Sequence, residues 1–353
     1  MSKNPLLFII ISASLFGISP PLAKLLLKAS PPVVLAGLLY LGAFVGLTLY
    51  SATRWNKRRG FGKEVAPLEK KDFFWLAGAV LTGGIMGPIS LMMGLTFVSG
   101  FSASLLLNLE GVTTAMIAVF LFKENAGKRL WLALACMTIA GVFLTWDPTQ
   151  DRFNTIGPLL IIFAMVCWGI DNNLTRNISD KDPIQIARIK GLIGGTTSIS
   201  LALILGMNIP LDLTIAFALF VGSLSYGISL VFFIKALEDL GSLRTGAFFS
   251  FGPFIGAIAS LIILREWIGW VMFPAIGLML VGVWLIVTER HSHLHLHEPI
   301  KHTHSHTHRD LHHLHEHSGK FHEPHTHEHM HFEQAHIHVH WPDTHHRHEH
   351  DTK

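Results

Sequence analysis

The chain has 353 residues, half of them apolar and only 14% charged, with a formal net charge of +3. Soluble domains carry roughly 25% charged residues, so a soluble globular chain is excluded; disorder throughout, a disulfide scaffold and a nucleic-acid binder are all disfavoured. All 24 histidines lie between His291 and His350, so residues 1–290, of formal charge +7, precede a different kind of sequence of formal charge −4.

A helix that crosses a bilayer needs roughly 20 mostly apolar residues. Such runs occur near 5–28, 31–52, 72–94, 100–122, 128–147, 156–177, 184–206, 212–235, 242–264 and 268–289. The fold expected is therefore an all-α membrane protein of ten transmembrane helices. The first run reads as a retained helix and not a signal peptide, because no small-x-small site closes it. Cys136 and Cys167 fall inside apolar runs and read as packing residues. With the N-terminus inside, 18 basic residues, among them Lys57, Arg58, Arg59, Lys70, Lys71 and Arg290, flank the inner ends, against 4 at the outer ends. That bias predicts a multi-pass protein of the inner or plasma membrane with both termini cytoplasmic. Trp55, Trp75, Trp131, Trp146, Trp267, Trp270 and Trp284 cluster near span ends, as an interfacial belt would.

The two halves share a pattern. Phe16-Gly17-Ile18-Ser19-Pro20-Pro21-Leu22-Ala23-Lys24 in span one aligns with Trp168-Gly169-Ile170-Asp171-Asn172-Asn173-Leu174-Thr175-Arg176 in span six. Phe122-Lys123-Glu124 with Gly127 aligns with Leu264-Arg265-Glu266 with Gly269, Gly141-Val142 with Gly282-Val283, and Pro32 with Pro183. Five spans per half is an odd number, so the halves must be inverted in the membrane relative to one another. In these motifs the chain resembles the EamA family of the drug/metabolite transporter superfamily. The resemblance covers residues 5–290 and implies two five-helix repeats, at 1–146 and 147–290, followed by a tail at 291–353. Two positions depart from the family pattern. Gly111 stands where Pro253 stands in the second half, and Leu39-Tyr40 stands where the second half has Lys190.

Charge inside hydrocarbon costs several kcal/mol, so ionisable residues within spans are candidates for the transport site. Glu110, with Asn108 two residues before it, lies about ten residues into span four and suits binding of a proton or a cationic substrate. Its alternative is a packing carboxyl hydrogen-bonded to neighbouring helices. Asp171, Asn172 and Asn173 form a second polar patch; Asp171 either lines the inner approach or pairs with Arg176 or Lys190. Lys190 either faces the cavity or snorkels to the interface. Gly83-Gly84, Gly87-Pro88 and Gly252-Pro253 mark places where helices bend or pack closely. Glu124 and Glu266 sit beside basic residues at helix ends and are expected to cap or pair there. No nucleophile-and-base set and no phosphate loop occurs, so no enzyme is expected.

The tail alternates histidine with small or polar residues. His291, His293, His295 and His297 are followed by His302, His304, His306 and His308, then His325, His327, His329 and His331, then His336, His338 and His340. Neutral imidazoles suit divalent Zn, Ni, Co or Cu, so divalent metal on the tail is expected, while transport itself requires no cofactor. Apolar content is too low for a core, so the tail is expected to be disordered without metal. Three functions compete. One is a secondary transporter of a small metabolite, such as an amino acid, whose tail binds metal. The second is a divalent-metal exporter whose tail collects its cargo. The third is a metal-responsive receptor or buffer without flux. The partners expected are the lipid bilayer and a small-molecule or metal substrate, with no nucleic acid; a homodimer is left open.

Overall fold

The computed structural model describes residues 5–53, 68–122, 127–145, 155–267, 269–270, 272–288, 292–297, 301–306, 325–330 and 334–339. The membrane region is all-α. In chain order the helices are α1 (Pro5–Leu26), α2 (Pro32–Thr53), α3 (Asp72–Phe97), α4 (Gly100–Leu106 and Leu109–Phe122) and α5 (Lys128–Thr145). The second half holds α6 (Ile156–Arg176), α7 (Pro183–Ile204), α8 (213–249), α9 (Gly252–Ile263) and α10 (Met272–Val287). Six helical spans among the described residues are long and apolar enough to cross a membrane by themselves: α1 to α4, α6, and Leu213–Glu238 within α8.

Pro20 and Pro21, which lack an N–H, interrupt α1 at Ile18. α7 opens at Asp182, whose side chain accepts from the Ile184 amide, and gives way at Gly206, where φ of 69° favours glycine. α8 runs past the expected loop near residues 236–241 without a break, so the link between spans eight and nine is helical. Span nine therefore consists of the last turns of α8 and, after a break at Ser250-Phe251, α9.

The packing repeats with a pseudo-twofold. α2 packs on α7 and α5 on α10; α1 packs on α8 as α6 packs on α3, and α1 on α9 as α6 on α4. Each of these pairs maps onto itself or another when five is added to a helix number, which is the signature of an inverted repeat. Glycine lets the crossings close. A Cβ on Gly17 would strike the backbone of Gly252, and one on Gly169 would strike Thr113 and the Thr114 amide. The third helix of each half contains a π-helical stretch, Val80–Met86 in α3 and Ser223–Ile228 in α8. The fourth span of each half breaks at matching places, Leu107-Asn108 and Ser250-Phe251.

Polar residues anchor both ends of the bundle. At one end, Glu266 accepts from the Gly100 and Phe101 amides (2.8 Å each) and so caps α4, as expected for a helix-end glutamate. Beside it Lys24 donates to the carbonyls of Leu95 and Val98 at the close of α3. Glu124 lies outside the described residues. At the opposite end, Lys181 lies within ion-pair distance of Glu69 and Asp180 (3.4 Å each) and of Asp72 (3.9 Å). The hydrogen bond from Lys71 holds the Glu69 carboxyl below its ordinary range, whereas burial pushes Asp180 up.

In the tail, four segments pair where the sequence revealed no partner strand. β1 (Ser292–His297) runs antiparallel to β4 (Gln334–Val339), and β2 (Lys301–His306) antiparallel to β3 (His325–Met330). The tail's alternation has the two-residue period of a strand, so two such stretches can form a ladder without a hydrophobic core.

Candidate functional site

A cavity of about 50 Å³ lies between the two halves, lined by residues of α1, α2, α4, α6, α7 and α8. Six aromatic residues form a large part of its wall. Phe16 of α1 meets Trp168 of α6 edge to face at 5.4 Å, Tyr226 of α8 at 5.7 Å and Phe249 of α8 at 5.2 Å. Tyr40 of α2 packs on Tyr226, and Phe233 on Phe249. The aromatic–glycine motifs thus do two jobs: the glycines allow the helix crossings, and Phe16 and Trp168 meet across the pseudo-axis.

The polar part of the wall comes mainly from α4, α6 and α7. Glu110 is 8% exposed, and its Oε1 accepts from Asn172 Nδ2 at 2.8 Å. Asn172 also donates to Thr114 Oγ1 at 3.1 Å, so one amide locks α6 to α4. Among the described residues no ion pair engages Glu110. A smaller space on its far side is lined by Gly111, Pro253 and Ser250, at the α4 and α8–α9 breaks.

The other acid is neutralised. Lys190 is 1% exposed, and its Nζ donates to both carboxylate oxygens of Asp171, at 2.6 and 2.7 Å, and to Thr175 Oγ1 at 3.4 Å. Its three N–H bonds are therefore all taken. Of the readings the sequence left open, Asp171 pairs with Lys190, and Lys190 does not snorkel. A buried pair with this many hydrogen bonds offsets a desolvation cost that either ion alone would not survive.

The glycine–proline run of α3 explains how the aromatic wall is fixed. In the π-helical stretch the Gly87 amide bonds to the Thr82 carbonyl, five residues back. The Gly83 carbonyl would then need the amide of residue 88, which is proline and has none. That carbonyl instead accepts from Tyr40 Oη at 2.5 Å and from Trp168 Nε1 at 3.2 Å. Two wall residues from opposite halves are thereby tied to one freed backbone oxygen.

Of the residues singled out from sequence, Glu110, Asp171, Asn172 and Lys190 line the cavity together. Asn108 does not: its amide faces Met279 Sδ of α10 at 3.6 Å. Asn173 also points elsewhere, donating to the carbonyls of Thr114 and Gly169. Sequence reasoning passed over Tyr40, Tyr226, Phe233, Phe249 and Thr114 as site residues, and only Phe16 and Trp168 carried a signal, as the repeat motif. In the tail, the ladders set His293 opposite His338, His295 opposite His336, His302 opposite His329, His304 opposite His327 and His306 opposite His325. His297 lies on β1 opposite Gln334. His291, His308, His331 and His340 lie outside the described residues.

Comparison with known proteins agrees with this architecture. The chain matches the EamA-like transporter family over residues 3–146 and again over 155–288. The chain belongs to the EamA-like transporter family. It is 28% identical over 293 residues to an uncharacterized transporter of Methanothermobacter thermautotrophicus, covering 79% of this chain and 84% of that protein. It is 26% identical over 191 residues to the uncharacterized transporter YyaM of Bacillus subtilis, covering 50% of this chain and 61% of that protein. A solved crystal structure shares the fold, with a TM-score of 0.61 at 15% identity, covering 80% of this chain and 96% of the other. This EamA-like protein is a multi-pass membrane transporter.

Proposed function

We propose that this EamA-like transporter moves a small metabolite across the cell membrane by secondary transport, with Glu110 as the group that binds a proton or a cationic substrate. One observation carries the reading: a carboxyl group buried in the cavity between the inverted halves, engaged by a neutral amide and by no cation among the described residues. Such a group is costly to bury unless something positive comes and goes beside it. Asp171, Asn172 and Lys190 frame it. The excess of basic residues at one set of helix ends supports cytoplasmic termini.

The tail binds divalent metal in this proposal, and the alternation of histidines and their opposition across the ladders support that role. A metal cargo is the weaker reading of the membrane site. Among the described residues no three His, Cys, Asp or Glu side chains converge, and Asp171 is already satisfied by Lys190.

Flux in inside-out vesicles tests both claims, comparing the full chain, a chain stopped after Arg290 and Glu110→Gln. Metabolite flux that falls at least 50-fold in Glu110→Gln and is indifferent to the tail supports the proposal. Metal flux that needs Glu110 and weakens without the tail replaces it with the exporter. Absence of all flux with an intact fold favours a receptor or buffer. Zn²⁺ and Ni²⁺ titrations of the two chain lengths read the tail separately, and equal binding by both overturns its metal role.

A further inference from the structure

The cavity wall narrows the substrate class, on the reading that Glu110 is the binding group of a transporter. The geometry points to a small alkylammonium, a substrate that carries a positive amine head and no carboxylate.

Charge is the first argument. Of the described residues lining the cavity, only Glu110, Asp171 and Lys190 are charged. Lys190 and Asp171 cancel within one ion pair, which leaves a single uncompensated acid. A zwitterionic amino acid needs a donor for its carboxylate as well as an acceptor for its amine. Among the described residues Lys190 is the only cation in the wall, and its N–H bonds already reach Asp171 and Thr175. Admitting a carboxylate there would break a buried ion pair and leave Asp171 beside a second anion. An amine head requires neither change.

Shape is the second argument. Aromatic faces attract cations, and rings that surround a small space suit an alkylated ammonium, whose surface is half apolar. Trp168, Tyr226 and Phe249 each contact Phe16, and Tyr40 extends the set through Tyr226. Tyr40 and Trp168 cannot swing aside freely, because each donates to the Gly83 carbonyl. The cavity of about 50 Å³ is small and partly open, which suits a compact ammonium head whose remaining alkyl groups lie toward the opening, and not a bulky polycyclic cation.

The test uses the purified full chain, by calorimetric binding and by uptake of labelled tetramethylammonium into reconstituted lipid vesicles. The comparison solutes are butylammonium, alanine and the uncharged neopentyl alcohol. The two ammonium ions are expected to bind at least 20-fold more tightly than alanine or the alcohol, and tetramethylammonium to be carried. Glu110→Gln is expected to lose at least 50-fold in ammonium binding. Trp168→Phe, which keeps a ring but loses the tie to Gly83, is expected to lose about 3- to 10-fold. If Glu110→Gln fails to fold, the Trp168→Phe and Tyr226→Phe pair still reads the aromatic wall. Transport of alanine through a Glu110-dependent route, with ammonium ignored, overturns the substrate class and leaves the transporter reading standing. Binding of neither class by a folded protein, or ammonium binding that survives Glu110→Gln unchanged, overturns both.

Discussion

The two halves of the membrane region share a scaffold and differ in what they place on it. The first and second helices of the first half carry Ser19 and Leu39; the matching positions in the second half are Asp171 and Lys190. The first half thus places a hydroxyl and an aliphatic side chain where the second buries an ion pair with a 2.6 Å hydrogen bond. In the fourth spans the difference reverses. Glu110 of the first half corresponds to Gly252 of the second, so the lone acid and the paired acid come from opposite halves. An inverted repeat supplies two equivalent sets of positions around one axis. Placing different residues on each set converts a symmetric crevice into a site with one charged side.

The largest effect expected on stability comes from breaking the pair that distinguishes the halves. Lys190→Met leaves Asp171 buried and unpaired and should cost about 3–5 kcal/mol of stability. The double replacement Asp171→Ser with Lys190→Leu, which copies the first half, should recover most of that loss. Thermal unfolding of the three variants in detergent checks both statements, and a double variant as unstable as the single one would show that the pair is not the cause.

The next effect concerns the α3 crossing. A Cβ on Gly83 would fall on the Asp171 carboxylate, whereas the nearest atom to one on Gly84 is 3.5 Å away. Gly83→Ala should therefore lose about 1–3 kcal/mol through overpacking and disturb the Asp171–Lys190 pair, while Gly84→Ala stays close to wild type. Equal melting temperatures for the two would contradict the geometry. The smallest effect belongs to the end of the bundle. Glu266→Ala removes the acceptor for two amides of α4 and should cost about 1 kcal/mol, reduced by salt. Amide exchange at Gly100 and Phe101 is the direct readout, with faster exchange expected in the variant.

Much of this architecture is legible in the amino-acid sequence. Spans of apolar residues have to cross a bilayer as helices, because no other open structure satisfies its own backbone there. The repeat shows in four matched motifs, and an odd count of helices forces the inversion. Glu110 and Lys190 stand out because charge is rare in hydrocarbon. Asn108 shows where that logic ends. It lies two residues from Glu110, and positions two apart on a helix do not share a face; the break at Leu107-Asn108 turns its amide toward Met279 instead. The loop expected after span eight is another limit, since 236–241 is polar enough for a link yet remains helical.

Beyond Phe16 and Trp168, which the repeat motif marks, the aromatic wall could not be read from the sequence. Rings in apolar helices look alike whether they face lipid, a neighbour or a cavity, and periodicity does not tell them apart when every face is apolar. The amino-acid sequence by itself determined that this chain spans a membrane, in two inverted halves, with a tail of histidines, since each follows from solvent preference, matched motifs or counting. Which acid is paired, which is alone and what surrounds it depended on contacts between α2, α4, α6, α7 and α8. Only the tertiary structure sets those contacts, because they join residues far apart in the chain through a π-helical stretch and a proline that frees one carbonyl.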